Sequence, residues 1–486
     1  MSETKTAMSD KFYMHKKLMY INEVKQEDYK YTKLVDLKSD FTSGSIAFDV
    51  GEINSVFDMR KAFFRVKFIY TKADGSALAA GDIATRSGIT IENNWFYNCF
   101  SQITLRVNNI DLEIITNPGE VDSALKHIYY QDPSKQVGDI SGWIPDKGDG
   151  GSLNFGAITT PTAAFADVAA VKTYLDNTLI PNLTPLVDPK NINVGFIERK
   201  KRYPVAVLAQ STPYEQDFPI YPLFGFFEQN RVWKGALFYL ELVIRQNYQQ
   251  NILFGSTTDV ALKIVDVQLM IPKYDVVEPV LDFINDQIKK PIQVSYLTRT
   301  YKRLQMADTK SSEDWELGNS KKRARYIFVW FKPSNRNGKR TNADLYYLQS
   351  PAVAAITAPA DGSDVAIPAI TAFNLVDIRL SIDGQYYPVK APLVLNPSSN
   401  DINDLIKKYQ DMAINPQYQP YEFVNIHGII CFDLTAQTEH KAKVALSRML
   451  TINKNGNQAL DVHCLILEET ASLVNPDLTS IKDIPL

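Results

Sequence analysis

Two short segments of the chain alternate apolar and polar residues and then reach a tight-turn sequence. The first has Ile103, Leu105 and Val107 on one side and ends at Asn108-Asn109. The second has Ile378, Leu380 and Ile382 on one side and ends at Asp383-Gly384. Alternation with period two predicts a strand with one buried face, and both turn pairs accept the positive φ of a short hairpin turn. The pattern therefore predicts one β-hairpin in each half of the chain.

Each predicted hairpin is followed by an Asn-Pro pair and an amphipathic segment. Asn117-Pro118 and Asn396-Pro397 each combine a helix-capping residue with a proline suited to the first helical position. Apolar residues then recur at helical spacing, at Val121, Ala124, Leu125 and Ile128 and again at Ile402, Leu405, Ile406 and Tyr409. This spacing predicts a short helix with one buried face after each hairpin.

Two more strand-like segments match between the halves. Phe64, Val66 and Phe68 align with Tyr326, Phe328 and Trp330, while Asp266, Val267, Leu269 and Ile271 align with Asp461, Val462, Cys464 and Ile466. Short strands separated by turn signals and present in two copies are typical of sandwiches and barrels. The sequence thus predicts an all-β fold of two tandem jelly-roll barrels, a double jelly roll, with a few short helices.

This duplication also predicts the domain boundaries. We expect an N-terminal arm at 1–40, a first jelly roll at 41–278 with an insertion at about 132–215, and a connecting helix at 279–290. A second jelly roll at 291–475 and a C-terminal tail at 476–486 complete the chain. The Gly/Ala-rich segment 138–176 and the Ala/Pro-rich segment 351–368 are expected at the outer end of the barrels or at contacts between subunits, because insertions survive where few core contacts form.

Composition narrows the class of protein. Apolar residues make up 45% of the 486 residues and charged residues 22%, which predicts a packed globular protein. The formal net charge of -3 excludes a broad basic surface for nucleic acid. Three widely separated cysteines imply no disulfide framework and favour a reducing compartment. No signal-peptide pattern or long apolar run occurs, so we expect a soluble chain that is not secreted.

Motifs of catalysis are not found in the sequence. Phosphate-binding loops, nucleophile elbows, zinc-binding helices and Cys-x-x-Cys pairs are all absent. One constellation, His427, Cys431, His463 and Cys464, could hold zinc if its two strands paired. Adjacent strand residues point to opposite faces, however, so His463 and Cys464 are better explained as structural. We predict no catalytic residue, no cofactor and no metal site, and hence no enzyme.

Three local basic runs stand out against the balanced charge. They are residues 199–202, residues 321–323 with Arg325, and the group Arg336, Lys339 and Arg340. Solvated loops or complementary charges between neighbouring subunits are the simpler explanation. A surface touching nucleic acid or an anionic membrane is the alternative.

The segment 218–227, with sequence FPIYPLFGFF, carries a resemblance to a known family. Together with Val232, Gly235 and the strand 237–245, it resembles a segment of the major capsid proteins of one group of eukaryotic DNA viruses. This group comprises virophages and the Polinton-like and adintovirus-like viruses. The resemblance implies a homotrimeric, pseudo-hexameric capsomer in the icosahedral shell of a double-stranded DNA virus. It also implies a virion component assembled in the host cytoplasm or nucleus, with partners that include neighbouring capsomers, penton and minor capsid proteins, and local contact with genome or internal membrane.

The same segment is the candidate trimer contact, because aromatic residues and prolines crowd there without strand periodicity. Its candidate residues are Phe218, Pro222, Phe224, Phe226 and Phe227. The alternative is that the segment plugs the bottom of the first barrel. Changing Phe226 and Phe227 to Ser distinguishes the two, since a folded monomer supports the contact and an unfolded product supports the plug.

Two other classes of protein also contain paired β-barrels. A bicupin would need clustered metal-binding histidines, typically His-x-His, and this sequence has none. A glycan-binding or glycan-processing double sandwich would need paired acids or exposed aromatics in a groove. Glu468 and Glu469 are adjacent acids in a predicted strand. Their side chains point to opposite faces, so they cannot both flank one glycosidic bond.

Overall fold

The structure is a computed structural model of the chain, and its described residues cover most of both predicted barrels. They are residues 41, 44–50, 56–78, 90–107, 110–129, 143, 170, 173, 194–203, 213–228, 232–246, 248, 252–254, 260–274, 278–288, 291–320, 322–334, 374–387, 391–395, 402–412, 428–435, 446–474 and 481–484.

Strands dominate the first half of the chain. They are β1 (Ser45–Asp49), β2 (Val56–Phe57), β3 (Phe63–Lys72), β4 (Thr90–Ile91), β5 (Phe100–Val107), β6 (Ile110–Thr116), β7 (Tyr214–Pro219), β8 (Phe238–Ile244), β9 (Leu253–Phe254), β10 (Val260–Met270) and β11 (Lys273–Tyr274). The helices of this half are α1 (Trp95–Asn98), α2 (Pro118–Tyr129) and α3 (Val194–Arg202), with short 3-10 turns at Met59–Lys61 and Gly225–Glu228.

Helix α4 (Glu278–Ile288) precedes the second set of strands. These are β12 (Ile292–Met306), β13 (Ser312–Ser320), β14 (Ala324–Pro333), β15 (Leu375–Ile382), β16 (Gln385–Tyr387), β17 (Leu393–Val394), β18 (Ile430–Asp433), β19 (Leu446–Lys454), β20 (Leu460–Val474) and β21 (Ile481–Ile484). Helix α5 (Ile402–Met412) lies between β17 and β18.

The same antiparallel strand order occurs in both halves. In the first half the two main sheets have the orders β10-β3-β7 and β1-β8-β5-β6. In the second half the matching orders are β20-β14-β18, extended by β12 at one edge, and β13-β19-β15-β16. Equivalent strands follow one another in the same chain order. The predicted all-β double jelly roll with a few short helices is therefore confirmed.

The predicted hairpins form the equivalent pairs β5-β6 and β15-β16. Their alternating apolar residues, including Ile103 and Ile378, are buried. Helix α2 begins at Pro118 as predicted, directly after Asn117, whose φ is 48°. Helix α5 begins at Ile402, and the predicted start at Asn396-Pro397 lies outside the described residues.

One predicted alignment is shifted by one residue, so it assigns the wrong face of a strand to the second core. Phe64, Val66 and Phe68 point into the core of the first jelly roll, but the residues of β14 that fill the second core are Ile327, Val329 and Phe331. Phe328 and Trp330 point to the opposite face of β14. There they pack in the same hydrophobic core as the buried residues of the first jelly roll. Both faces of β14 are covered, so the strand is apolar throughout and its alternation does not reveal which face is inner.

The domain boundaries remain a proposal. Helix α4 lies between the two sets of strands, and β12 follows it. Most of the insertion at 132–215 and all of the loop at 351–368 lie outside the described residues, so their predicted positions stay predictions. Of segment 138–176, the structure describes Trp143, Ala170 and Thr173, and Trp143 is buried against His127.

Candidate functional site at the seam between the barrels

The segment 218–227 begins at the end of β7, inside the first jelly roll, and ends in the 3-10 turn that meets the second jelly roll. All five candidate contact residues, Phe218, Pro222, Phe224, Phe226 and Phe227, are buried within the chain. Around them, Pro219, Tyr221 and Glu228 keep partial exposure. The contacts of these five side chains are therefore made inside the chain, and a contact between subunits in this segment stays a prediction.

The 3-10 turn Gly225–Glu228 packs against β12 of the second jelly roll. The ring of Phe226 meets the ring of Tyr296 edge to face with centroids 5.3 Å apart, and it stacks on Trp233 at 5.3 Å. At Gly225 a Cβ atom would lie 1.8 Å from the carbonyl oxygen of Leu297. Only a glycine permits so close an approach between the turn and the strand.

Charged side chains complete this contact. The Nη2 of Arg299, on β12, donates to Glu228 Oε1 at 2.6 Å and to the carbonyl oxygen of Pro222 at 3.1 Å. On the other side of the turn, the Glu113 carboxylate of β6 accepts hydrogen bonds from the backbone N–H groups of Gly225 at 3.2 Å and Phe226 at 2.7 Å. The seam is thus held by an aromatic centre with charge-assisted hydrogen bonds around it.

Burial decides the protonation of Glu113. Desolvation raises its pKa to about 7, although Arg299 and the two backbone N–H groups oppose the shift and Glu228 adds to it. A buried carboxylate loses the solvation that stabilises its charged form. Glu113 is therefore poised to exchange a proton near neutral pH.

A second ion pair crosses the seam at the start of helix α2. Lys332 Nζ, on β14, lies 2.6 Å from Glu120 Oε2, and both side chains are buried. The acidic residue also lies in the first turn of α2, where the helix dipole favours negative charge. No sequence pattern marked Glu113, Glu120, Arg299 or Lys332, because their partners lie far away along the chain.

Strand register separates the two cysteines of the zinc hypothesis. Cys431 pairs with Phe328 and Cys464 pairs with Val329, so the two thiols point to opposite faces of the same sheet. Burial raises the pKa of Cys464 to about 12. His463 stacks on Trp330 and its Nδ1 lies 2.7 Å from the hydroxyl of Tyr301, while His427 lies outside the described residues. Across the described ranges no group of three potential metal-binding side chains occurs.

The first basic run is partly structural. Arg199 is buried, and its Nε donates to the carbonyl oxygen of Ile91 at 3.0 Å. The guanidinium of Arg202 packs on the ring of Tyr203. This run therefore contributes less charge to the surface than its sequence suggests.

The second basic run is also engaged within the chain. Arg323 and Arg325 both pair with Glu469, and both donate to the carbonyl oxygen of Thr435. Lys321 and the third run, with Arg336, Lys339 and Arg340, lie outside the described residues. In the part of the chain that the structure describes, no helix is both long and apolar enough to cross a membrane.

Comparison of the structure with solved structures identifies the fold. No family model and no curated protein matches the sequence. The major capsid protein of mavirus superposes with a TM-score of 0.52 at 8% identity, over 95% of this chain and 91% of that one. The Sputnik virophage structure matches with a TM-score of 0.49 at 10% identity, over 95% and 88% of the two chains. The Faustovirus major capsid protein matches with a TM-score of 0.47 at 10% identity, over 92% and 90%.

The likeness to the mavirus protein extends over nearly the whole of both chains. The strand order within the chain agrees with this comparison. The chain therefore has the double jelly-roll fold that the mavirus major capsid protein also has.

Proposed function

We propose that this chain is the major capsid protein of an icosahedral double-stranded DNA virus or virus-like element, and that it acts as a structural protein and not as an enzyme. Three chains would form one pseudo-hexameric capsomer. The chain would then be a virion component assembled in the cytoplasm or nucleus of the host cell.

The observation that carries the proposal is the packing of two equivalent jelly rolls against each other. Their strand orders match, and the seam joins them through the Phe226–Tyr296 contact and the Arg299–Glu228 and Lys332–Glu120 ion pairs. A closed shell consists mostly of positions with local sixfold surroundings, and three chains with two similar barrels each can fill such a position. Such a capsomer requires contacts between the two barrels of each chain, and the seam supplies them.

The remaining parts of the proposal concern contacts outside the single chain. Neighbouring capsomers, penton proteins and minor capsid proteins would be the partners, with local contact to genome or an internal membrane. A trimer contact at residues 218–227 would have to use the partly exposed Pro219 and Tyr221, because the five candidate side chains are buried inside the chain. The domain boundaries at 40, 278, 290 and 475 belong to the same proposal.

The test is the oligomeric state of the purified full chain. Mass photometry and electron microscopy should show homotrimers with a six-lobed outline, or closed shells at higher concentration. A chain that stays monomeric over the accessible concentration range would contradict the capsid proposal. Elemental analysis of the same sample addresses the bicupin alternative, since stoichiometric bound metal would favour it.

A further inference from the structure

A second buried polar cluster lies between helices α1 and α2. It comprises Asn94, Asp122, Ser123 and Lys126, and none of these side chains reaches more than a few percent exposure. Asp122 and Lys126 lie one turn apart on α2, while Asn94 precedes α1. A charged pair is costly to bury, so its position beside an amide needs a physical explanation.

Asn94 is held in an unusual backbone conformation and directed at this pair. Its φ is 55° and its ψ is 30°, and its side chain makes no capping hydrogen bond to α1. The side-chain nitrogen instead donates to Ser123 Oγ at 3.3 Å and to the carbonyl oxygen of Gly119 at 3.5 Å. The side-chain oxygen accepts from Lys126 Nζ at 3.3 Å. Hydrogen bonds therefore hold both the nitrogen and the oxygen of the Asn94 side chain, and its carbonyl faces the Lys126 amine.

Besides the Asn94 amide, the amine of Lys126 lies near one carboxylate and two aromatic rings among the described residues. Its Nζ lies 2.7 Å from Asp122 Oδ2, and it lies 5.8 Å from the ring centre of Tyr97 and 5.6 Å from that of Trp143. Burial raises the pKa of Asp122, while Lys126 and Asn94 oppose that shift. The Asp122 carboxyl is therefore placed within contact distance of the amine, where it can accept a proton and return it.

We propose that Lys126 and Asn94 become joined by an intramolecular isopeptide bond, with Asp122 as the proton-transfer group. Lys126 Nζ attacks the side-chain carbonyl carbon of Asn94, and a C–N bond forms. Asp122 transfers the proton lost by the amine to the side-chain nitrogen of Asn94. The bond between that nitrogen and the carbonyl carbon then breaks, and one molecule of ammonia leaves.

The reaction needs no oxidant and no co-reactant. It converts one primary amine and one primary amide into one secondary amide and ammonia, so atoms and charges balance. Fixing both reacting groups within contact distance supplies the proximity that an amide and an amine lack in solution. The product would connect α1 and α2 covalently inside the first jelly roll.

The experiment is a mass measurement on the purified full chain. The intact mass should fall short of the sequence mass by one ammonia. Tryptic digestion should give one branched product, in which residues 87–106 are joined to residues 107–135, since trypsin cannot cut after a modified Lys126. An intact mass equal to the sequence mass, with normal cleavage after Lys126, would overturn the proposal. So would an ammonia deficit on an unbranched peptide, because a cyclic imide at asparagine produces the same mass.

Two variants add a matched comparison. Lys126→Arg keeps a cation beside Asp122 but removes the nucleophilic amine, and its mass should equal its sequence mass. Lys201→Arg changes a lysine that pairs with Glu198 at the surface of α3, and it should retain the deficit. Loss of the deficit in both variants, or in neither, would contradict the assignment to Lys126. Neither result depends on whether the chain forms a capsid.

Discussion

Lys332 of the second jelly roll and Glu120 of the first form an ion pair at 2.6 Å, and their side chains are only 6% and 8% exposed. The pair joins β14 to the start of helix α2 across the seam. Each of these two buried charges compensates the other, and removal of one takes that compensation away.

Glu120→Gln should therefore destabilise the chain strongly. We expect a loss of about 3 to 5 kcal/mol in the free energy of unfolding, measured by urea denaturation, because the Lys332 ammonium stays buried without its counterion. Glu313→Gln is the control, since it removes the partner of Lys310, whose side chain is half exposed. That change should cost about 1 kcal/mol or less. Equal effects of the two substitutions would show that the seam pair contributes nothing beyond a surface pair.

Gly225→Ala tests the close approach of the 3-10 turn to β12. The added Cβ would meet the carbonyl oxygen of Leu297 at 1.8 Å and the Arg299 side chain at 2.1 Å, so the turn must move away from the strand. We expect a loss of about 1 to 3 kcal/mol or more, as for overpacking of a core, together with separate calorimetric transitions for the two barrels.

Gly75→Ala is the control for this prediction. Gly75 has a φ of +82° with open space around its missing Cβ, so alanine introduces backbone strain without a collision. That variant should lose roughly 1 to 2 kcal/mol and keep a single transition. A single transition in Gly225→Ala as well would mean that the turn does not control the docking of the barrels.

The raised pKa of Glu113 predicts that the chain loses stability as the pH rises. Its pKa is about 7 in the folded chain, above the ordinary value of 4.5, so the unfolded chain gives up this proton more readily. The contribution of this group is fully present below pH 4.5 and is lost as the pH rises through about 7. The total loss is on the order of 3 kcal/mol between these limits.

Glu113→Gln should flatten this dependence in urea unfolding between pH 5 and pH 8. Asp74→Asn is the control, because hydrogen bonds from Ser76 lower the pKa of that exposed carboxyl and it does not titrate in this window. An unchanged slope in Glu113→Gln would locate the pH dependence elsewhere.

Phe226→Ser distinguishes a core position from a subunit contact. The ring contacts Trp233, Phe238 and Tyr296, so its loss should reduce the free energy of unfolding by about 3 to 5 kcal/mol. Ile114→Ser is the control, since Ile114 is 48% exposed, and it should change stability by about 0.5 kcal/mol or less. Thermal unfolding and sizing of both proteins provide the readout. A stable, folded monomer from Phe226→Ser would contradict the core position and support the predicted trimer contact.

The sequence by itself determined the local structure and the repetition. Period-two alternation at Ile103 and Ile378 predicted the hairpins, and helical spacing from Val121 predicted helix α2, because both patterns report a single buried face. Their recurrence in the two halves predicted two jelly rolls. These signals are local, so no knowledge of distant partners was needed.

Tertiary structure decided which face of a strand points where. In β6, Glu113 is buried while Ile114 is 48% exposed, the reverse of what hydrophobicity predicts. The segment 326–331 is apolar on both faces because each face contacts a different core. The seam partners of Arg299 and Lys332, and the meeting of Asn94 with Lys126, depend on long-range packing. The sequence pattern reports how much of a side chain is buried, and only the folded chain specifies what it is buried against.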